Sequence, residues 1–211
     1  MAFQTIKAPH ILLPSLDVDM TAWAVIACDQ YTSDRGYWEE VNNKVGDAPS
    51  ALRLILPEVY LEKDNSARVD KINESMQNYL EAKILQEYKN AYIYIERTLA
   101  SGVVRPGIVG VVDMEKYSYI EGVKCDIKPT EKTVPERIPP RKAVRDRAQL
   151  ELAHVILFCN DVENNLVGFL ASKKSIMKKI YDFDIMMQGG HIEGWLVEGE
   201  IAAEFDQKYA A

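Results

Sequence analysis

The stretch best equipped for chemistry lies in the middle of the chain, where residues 128–141 read Lys-Pro-Thr-Glu-Lys-Thr-Val-Pro-Glu-Arg-Ile-Pro-Pro-Arg. Arginine and lysine head groups are suited to bind a phosphate or a carboxylate. A carboxylate held among them, Glu131, could accept a proton from a substrate hydroxyl or hold Mg²⁺. The alternative is a solvated basic loop, in which Glu131 and Glu136 only pair with neighbouring cations.

The prolines of this segment predict its backbone. Proline lacks the N–H group that helices and central strands require, so residues 128–147 are expected to form a basic, proline-rich, irregular loop. A stiff loop also loses less conformational entropy when it orders on a ligand. We therefore expect it to lie beside a concave site.

A second candidate contact follows an apolar run near the start of the chain. Residues 22–27 predict a buried strand, and Asp29 and Gln30 come directly after it and Cys28. Polar residues at the end of a strand are commonly ligand contacts. They are equally suited to cap the helix that follows, and the pattern leaves both readings open.

The elements that must position these residues are of both kinds. The spacing of apolar residues predicts one helix ending at Gly46 and a longer one from Asn65-Ser66 to about Glu87. A short basic helix is expected over 172–181, and a polar tail after Phe205. Strands are expected over 52–56, 92–95, 108–112, 154–158 and 191–197. This irregular alternation predicts an α+β fold with a mixed sheet and flanking helices.

Charge and composition exclude several classes of partner. The 25 Lys and Arg against 32 Asp and Glu give a formal net charge of -7, which disfavours binding to nucleic acids and anionic membranes. No apolar run approaches the roughly 20 residues of a membrane span. Three isolated cysteines, without CxxC spacing, predict reduced thiols and a cytoplasmic protein. The three histidines lack metal-ligand spacing, so no structural metal is expected.

Taken together, many stretches of the chain resemble the bacterial family known as domain of unknown function 1015. The central run matches a His-Glu-x-Thr element of that family at Glu131 and Thr133, with Thr130 in place of His and Arg141 as a basic partner. The other matching stretches are 25–33, 37–38, 52–58, 150–152 and 189–192. The resemblance implies a ParB/sulfiredoxin-like fold related to kinases of free serine.

The same resemblance implies an activity and roles for residues. The activity is transfer of phosphate from ATP, with Mg²⁺, to the hydroxyl of a small amino acid such as serine. Glu131 would be the catalytic carboxylate, and the contacts to substrate and phosphate would come from Thr133, Arg137, Arg141, Asp29 and Gln30. The expected partners are therefore a small-molecule substrate and a nucleotide.

One element of the family has no match in this chain. An Asp-Gly-x-His turn at a helix start, which resembles a phosphate-binding turn, does not occur here. Residues 1–211 are therefore interpreted either as one α+β domain or as the N-terminal half of a longer two-part protein. In the second case the chain alone has little or no kinase activity, and it pairs with a missing C-terminal half or forms a homodimer. The competing hypothesis is a non-catalytic protein that binds a nucleotide or another small molecule.

Overall fold

The computed structural model describes residues 5–130, 134–152 and 154–210. Its largest sheet is built from β4 (Tyr92–Thr98), β5 (Val104–Val109), β7 (Lys178–Ile185) and β8 (Gly190–Val197). These four strands pair antiparallel in the order β5-β4-β8-β7. Two smaller antiparallel sheets pair β1 (Ile6–Lys7) with β6 (Val111–Val112) and β2 (Ile11–Pro14) with β3 (Leu85–Tyr88).

The alternation of side chains along β4 gives the large sheet two apolar faces. Tyr92 and Tyr94 are buried on one face, where they pack with residues of α5 (Val167–Ser172) and α6 (Gly199–Ala210). Ile93 lies on the other face and packs with Leu13 of β2. The sheet therefore forms the centre of a layered core.

A helical part of the molecule positions the basic segment. It contains α1 (Met20–Trp23), α2 (Arg35–Val45), α3 (Ser66–Glu81) and α4 (Ile138–Arg145). The apolar face of α3 buries Ile72 and Met76, and Val144 of α4 packs against that cluster. No helix among the described residues is long and apolar enough to cross a membrane.

The α+β class is confirmed, although the sheet is not mixed as expected. In the described ranges the pairings within all three sheets are antiparallel. The large sheet consists of two hairpins, β4-β5 and β7-β8, which pair with each other through β4 and β8. The second predicted helix begins where expected, at Ser66, and ends at Glu81, before β3. The strands expected over 92–95 and 191–197 are also present.

The basic segment is helical over residues 135–145, so the prediction of an irregular loop across 128–147 is wrong there. A 3-10 turn over Pro135–Arg137 runs directly into α4. Both helical stretches carry proline at their first positions, where a backbone N–H would have no partner within the helix. Proline therefore starts this helix instead of breaking it.

Three predicted strands are wrong for local reasons. The Asp19 side chain accepts a hydrogen bond from Thr21 N and caps α1, which occupies part of 22–27. Ser50 caps a 3-10 turn over Ala51–Leu54 in the same way. Residues 154–158 are exposed and carry no strand. Residues 178–185 form β7 against β8 rather than the predicted basic helix, and the predicted tail belongs to α6 as far as Ala210.

Candidate functional site

Three of the six candidate residues are brought together around a residue that the sequence did not single out. Arg137 and Arg141 lie one helical turn apart, and both guanidinium groups point at Glu58. Asp29 also lies near Arg141, with 3.8 Å between its Oδ2 and Nη2 of Arg141. Glu131 and Thr133, the predicted catalytic and phosphate-binding residues, lie outside the described residues.

The Glu58 carboxylate is the centre of this arrangement. Its side chain is only 7% exposed. Oε1 accepts a hydrogen bond of 2.5 Å from Nη2 of Arg141, and Oε2 lies 3.6 Å from Nη1 of Arg137. A nearly buried carboxylate needs such partners, because an unpaired buried charge is costly. We call Glu58, Arg137, Arg141, Asp29 and Cys28 the Glu58 cluster.

A backbone hydrogen bond holds Glu58 next to the segment that contains Cys28 and Asp29. Glu58 begins a 3-10 turn after Pro57, and its N–H donates to the carbonyl of Cys28 at 2.8 Å. That bond ties the 28–30 segment to the carboxylate. The Gln30 carbonyl in turn accepts a hydrogen bond of 3.3 Å from Nε1 of the fully buried Trp38. Gln30 thus takes part through its backbone, and among the described residues no hydrogen bond joins its side chain to the cluster.

The electrostatics of the cluster keep the arginine charged and the thiol neutral. The hydrogen bond from Arg141 to Glu58 raises the pKa of Arg141 further above its usual range. Burial raises the pKa of the Cys28 thiol, and Asp29 raises it further against the opposing effect of Arg141. Cys28 is therefore protonated at neutral pH and is not an activated nucleophile.

The arginines have donors to spare. Arginine carries five N–H groups, and the contacts of Arg141 with Glu58 and Asp29 involve Nη2. The side chains of Arg137 and Arg141 are 50% and 48% exposed. Glu58 therefore orients two guanidinium groups whose outer edges face solvent, as recognition of a phosphate or carboxylate requires.

Aromatic and further basic groups surround the cluster. Two residues after Glu58, the Tyr60 ring contacts the guanidinium groups of Arg35 and Arg68, which lie 5.2 and 5.0 Å from the ring centre. Two residues after Asp29, the Tyr31 ring stacks on Tyr37. The neighbourhood thus combines cations with flat aromatic surfaces, although the chain as a whole is acidic.

The basic segment also borders a cleft of about 730 Å³. The opposite wall is formed by residues 61–66 and Val69 at the start of α3. Glu136, Pro139 and Ala143 line the near wall, while Arg137 and Arg141 do not. The 134–147 segment therefore presents one side to the cleft and its two arginines to Glu58.

The described residues do not form a site for a resident metal. They contain no group of three or more His, Cys, Asp or Glu side chains placed to hold an ion. Both oxygens of Glu58 face arginines, and Asp29 faces Arg141.

Glu58 was missed because its partners are distant in sequence. It forms the last residue of a family-like stretch, but Arg141 lies 83 residues away. The available signal was a carboxylate between Pro57 and Val59, directly after an apolar run. Such a carboxylate predicts a buried ionic partner, but it does not say which one.

The fold and the site define an α+β protein with a nearly buried carboxylate that orients two arginines. The chain belongs to the family described as Protein of unknown function (DUF1015), whose model matches residues 12–209. The family part of the resemblance is thereby confirmed. No curated protein and no solved structure matches the chain.

Proposed function

We propose that this chain binds a phosphate-bearing small molecule at the Glu58 cluster and takes part in phosphoryl transfer from ATP to the hydroxyl of a free amino acid such as serine. The observation that carries the proposal is the convergence of Arg137 and Arg141 on Glu58. The transfer itself, and its link to the ParB/sulfiredoxin-like superfamily, rest on the family resemblance.

The distribution of charge supports the binding step. Glu58 and Asp29 balance the two arginines, so the cluster holds its geometry without a ligand. Preorganised guanidinium groups do not have to be oriented when a phosphate arrives, which lowers the cost of binding. Asp29 at 3.8 Å is the looser partner of Arg141, so a phosphate oxygen can compete with it.

The proposed transfer needs a base and a metal in addition to the arginines. Glu131, six residues before Arg137 in the sequence, would accept the proton of the substrate hydroxyl. The freed oxygen would attack the terminal phosphorus, the bond to ADP would break, and Mg²⁺ would offset the charge of the phosphates. Thr133 would add a hydroxyl contact to phosphate or to the carboxylate of the amino acid.

A second function is a non-catalytic protein that binds a nucleotide or a small anion. It is favoured by the composition of the site within the described ranges, where arginines and carboxylates meet without a metal-binding group and with a protonated Cys28. Binding then has the same chemical basis as in the first function, but no bond is formed or broken.

Two measurements on the purified chain separate these functions. Calorimetry and thermal unfolding with ATP·Mg²⁺ and with serine test binding, since a ligand at 100 times its Kd stabilises the folded state by about 2.7 kcal/mol. Phosphorus NMR then tests for phosphoserine. The catalytic variant is Glu131→Gln, and its matched control is Glu136→Gln, which makes the same charge change in the same segment.

Phosphoserine that disappears only in Glu131→Gln would support phosphoryl transfer. Saturable binding without phosphoserine would favour the non-catalytic function. If neither ATP·Mg²⁺ nor serine binds, phosphoryl transfer and nucleotide binding are both contradicted.

A further inference from the structure

We propose that Tyr31 is the stacking platform for the nucleobase of the ligand whose phosphates bind Arg137 and Arg141. This inference rests on the proposed function, because it names the class of ligand, a nucleoside phosphate, at the same site. The observations behind the inference are the left-handed backbone and the stacked, exposed ring of Tyr31. Binding of phosphate by the arginines does not require either feature.

The backbone of Tyr31 is in a conformation that its side chain disfavours. Its φ is 50°, in the left-handed region that glycine and asparagine adopt far more readily than a bulky aromatic residue. The conformation is held on both sides. Gln30 N–H donates to the Ala27 carbonyl at 3.0 Å, and Asp34 N–H donates to the Tyr31 carbonyl at 3.1 Å. A strained residue held by its surroundings in this way points to a function for its side chain.

The ring of Tyr31 is both ordered by a neighbour and open to solvent. It stacks on Tyr37 with 4.0 Å between ring centres and 2° between ring planes. Yet Tyr31 remains 52% exposed. Tyr37 occupies one face of the ring, so we place the nucleobase on the opposite face, where it would continue the stack.

The position of this ring relative to the arginines selects the ligand. Tyr31 is two residues from Asp29, and two residues of chain span at most about 7 Å. The Oδ2 atom of Asp29 in turn lies 3.8 Å from Nη2 of Arg141. A flat apolar surface beside phosphate-binding guanidinium groups matches a molecule that is flat at one end and anionic at the other. Nucleotides have this form, whereas serine has no planar apolar part.

The test compares ATP·Mg²⁺ with inorganic tripolyphosphate·Mg²⁺, which has the phosphates but no base. The variant is Tyr31→Asn, because asparagine accepts the left-handed backbone and removes the ring. Stacking on an aromatic ring is worth about 1–3 kcal/mol per base, so we expect the Kd for ATP to rise by about tenfold, with no change for tripolyphosphate. Tyr119→Asn, at another exposed tyrosine (79%), is the matched control and should change neither.

A second measurement does not depend on any variant. Saturation-transfer NMR on the wild-type chain should show the strongest effect at the base protons of ATP, because the base would be in contact with Tyr31. Equal ATP affinity in Tyr31→Asn and the wild type, or transfer confined to the ribose, would overturn the inference while the phosphate site stands. If the wild type binds neither ATP nor tripolyphosphate, the proposed function fails, and this inference fails with it.

Discussion

Replacing Glu58 by glutamine should destabilise the fold far more than the same change at a neighbouring glutamate. The side chain of Glu58 is 7% exposed and faces two guanidinium groups. A hydrogen bond to a charged group contributes about 1.5–3 kcal/mol, and breaking a fully buried ion pair costs about 3–5 kcal/mol. Both arginines are about half exposed, which screens the charges they retain. Glutamine also keeps one acceptor, so we expect a loss of roughly 2 kcal/mol in the free energy of unfolding.

Glu62→Gln is the matched control for this prediction. Glu62 lies four residues further on, is 56% exposed and pairs with Arg68 at 3.6 Å. An exposed pair of this kind contributes at most about 1 kcal/mol, and most surface substitutions stay within about 0.5 kcal/mol. Urea denaturation of both variants measures the difference, with the m-value unchanged if only stability is affected.

Thermal unfolding gives an independent reading of the same difference. In a chain of this length, 1 kcal/mol corresponds to a shift of about 2–4 °C in Tm, so Glu58→Gln should lower Tm by roughly 4–8 °C. If Glu58→Gln and Glu62→Gln have equal effects, the Glu58 carboxylate does not organise the cluster, and the reasoning behind the site is refuted.

Three further predictions test the fold. Gly190 has a φ of 96°, and a Cβ atom added there would meet the Thr98 carbonyl, so Gly190→Ala should lower the free energy of unfolding by about 2–5 kcal/mol. Gly102 has a φ of 81° but open space around it, so Gly102→Ala should lower it by only about 1–2 kcal/mol, as measured by urea denaturation. Burial raises the pKa of Tyr92, Tyr94 and Tyr181 above the usual 10.0, and Tyr92 also donates to Asp206 and Tyr94 to Glu96. Their contribution to stability is therefore complete below pH 10 and falls as pH rises above it, because only the unfolded chain ionises there. Urea midpoints should decline above about pH 10, and less steeply in Tyr92→Phe, whereas a flat profile there would contradict this prediction. Trp38 is 0% exposed, so Trp38→Ala should lower the free energy of unfolding by about 3–5 kcal/mol, and Trp38→Phe by clearly less, because phenylalanine fills more of the space. Equal losses in the two variants would contradict a role for the volume of this side chain.

Local signals in the sequence were sufficient for several elements. Gly46 predicted the end of α2, and the aromatic and β-branched run at 92–95 predicted β4. Short apolar runs were ambiguous, because burial alone does not distinguish a strand from a capped helical turn. Residues 22–27 and 52–56 failed in this way, since Asp19 and Ser50 cap helical turns there.

The proline-rich segment and the site show two different limits of sequence reasoning. Proline is favourable in the first turn of a helix but disruptive inside one. The prediction over 128–147 failed because the prolines there were read as lying inside a segment rather than at the start of α4. The arginines were identified from their type and grouping. Glu58 was not, because the contact between residues 58 and 141 depends on the packing of α4 against α3.

The most direct test of the proposed site is a calorimetric titration of the chain and two variants with ATP·Mg²⁺. Arg141→Gln removes a guanidinium group of the Glu58 cluster. Lys142→Gln makes the same charge change one residue along the same helix, at an exposed side chain that pairs with Asp146. Losing a charge-assisted contact to phosphate should raise the Kd of Arg141→Gln by about tenfold or more, while Lys142→Gln stays close to the wild type. Equal affinity in the two variants, or no saturable binding by the wild type, would contradict a phosphate site at the Glu58 cluster.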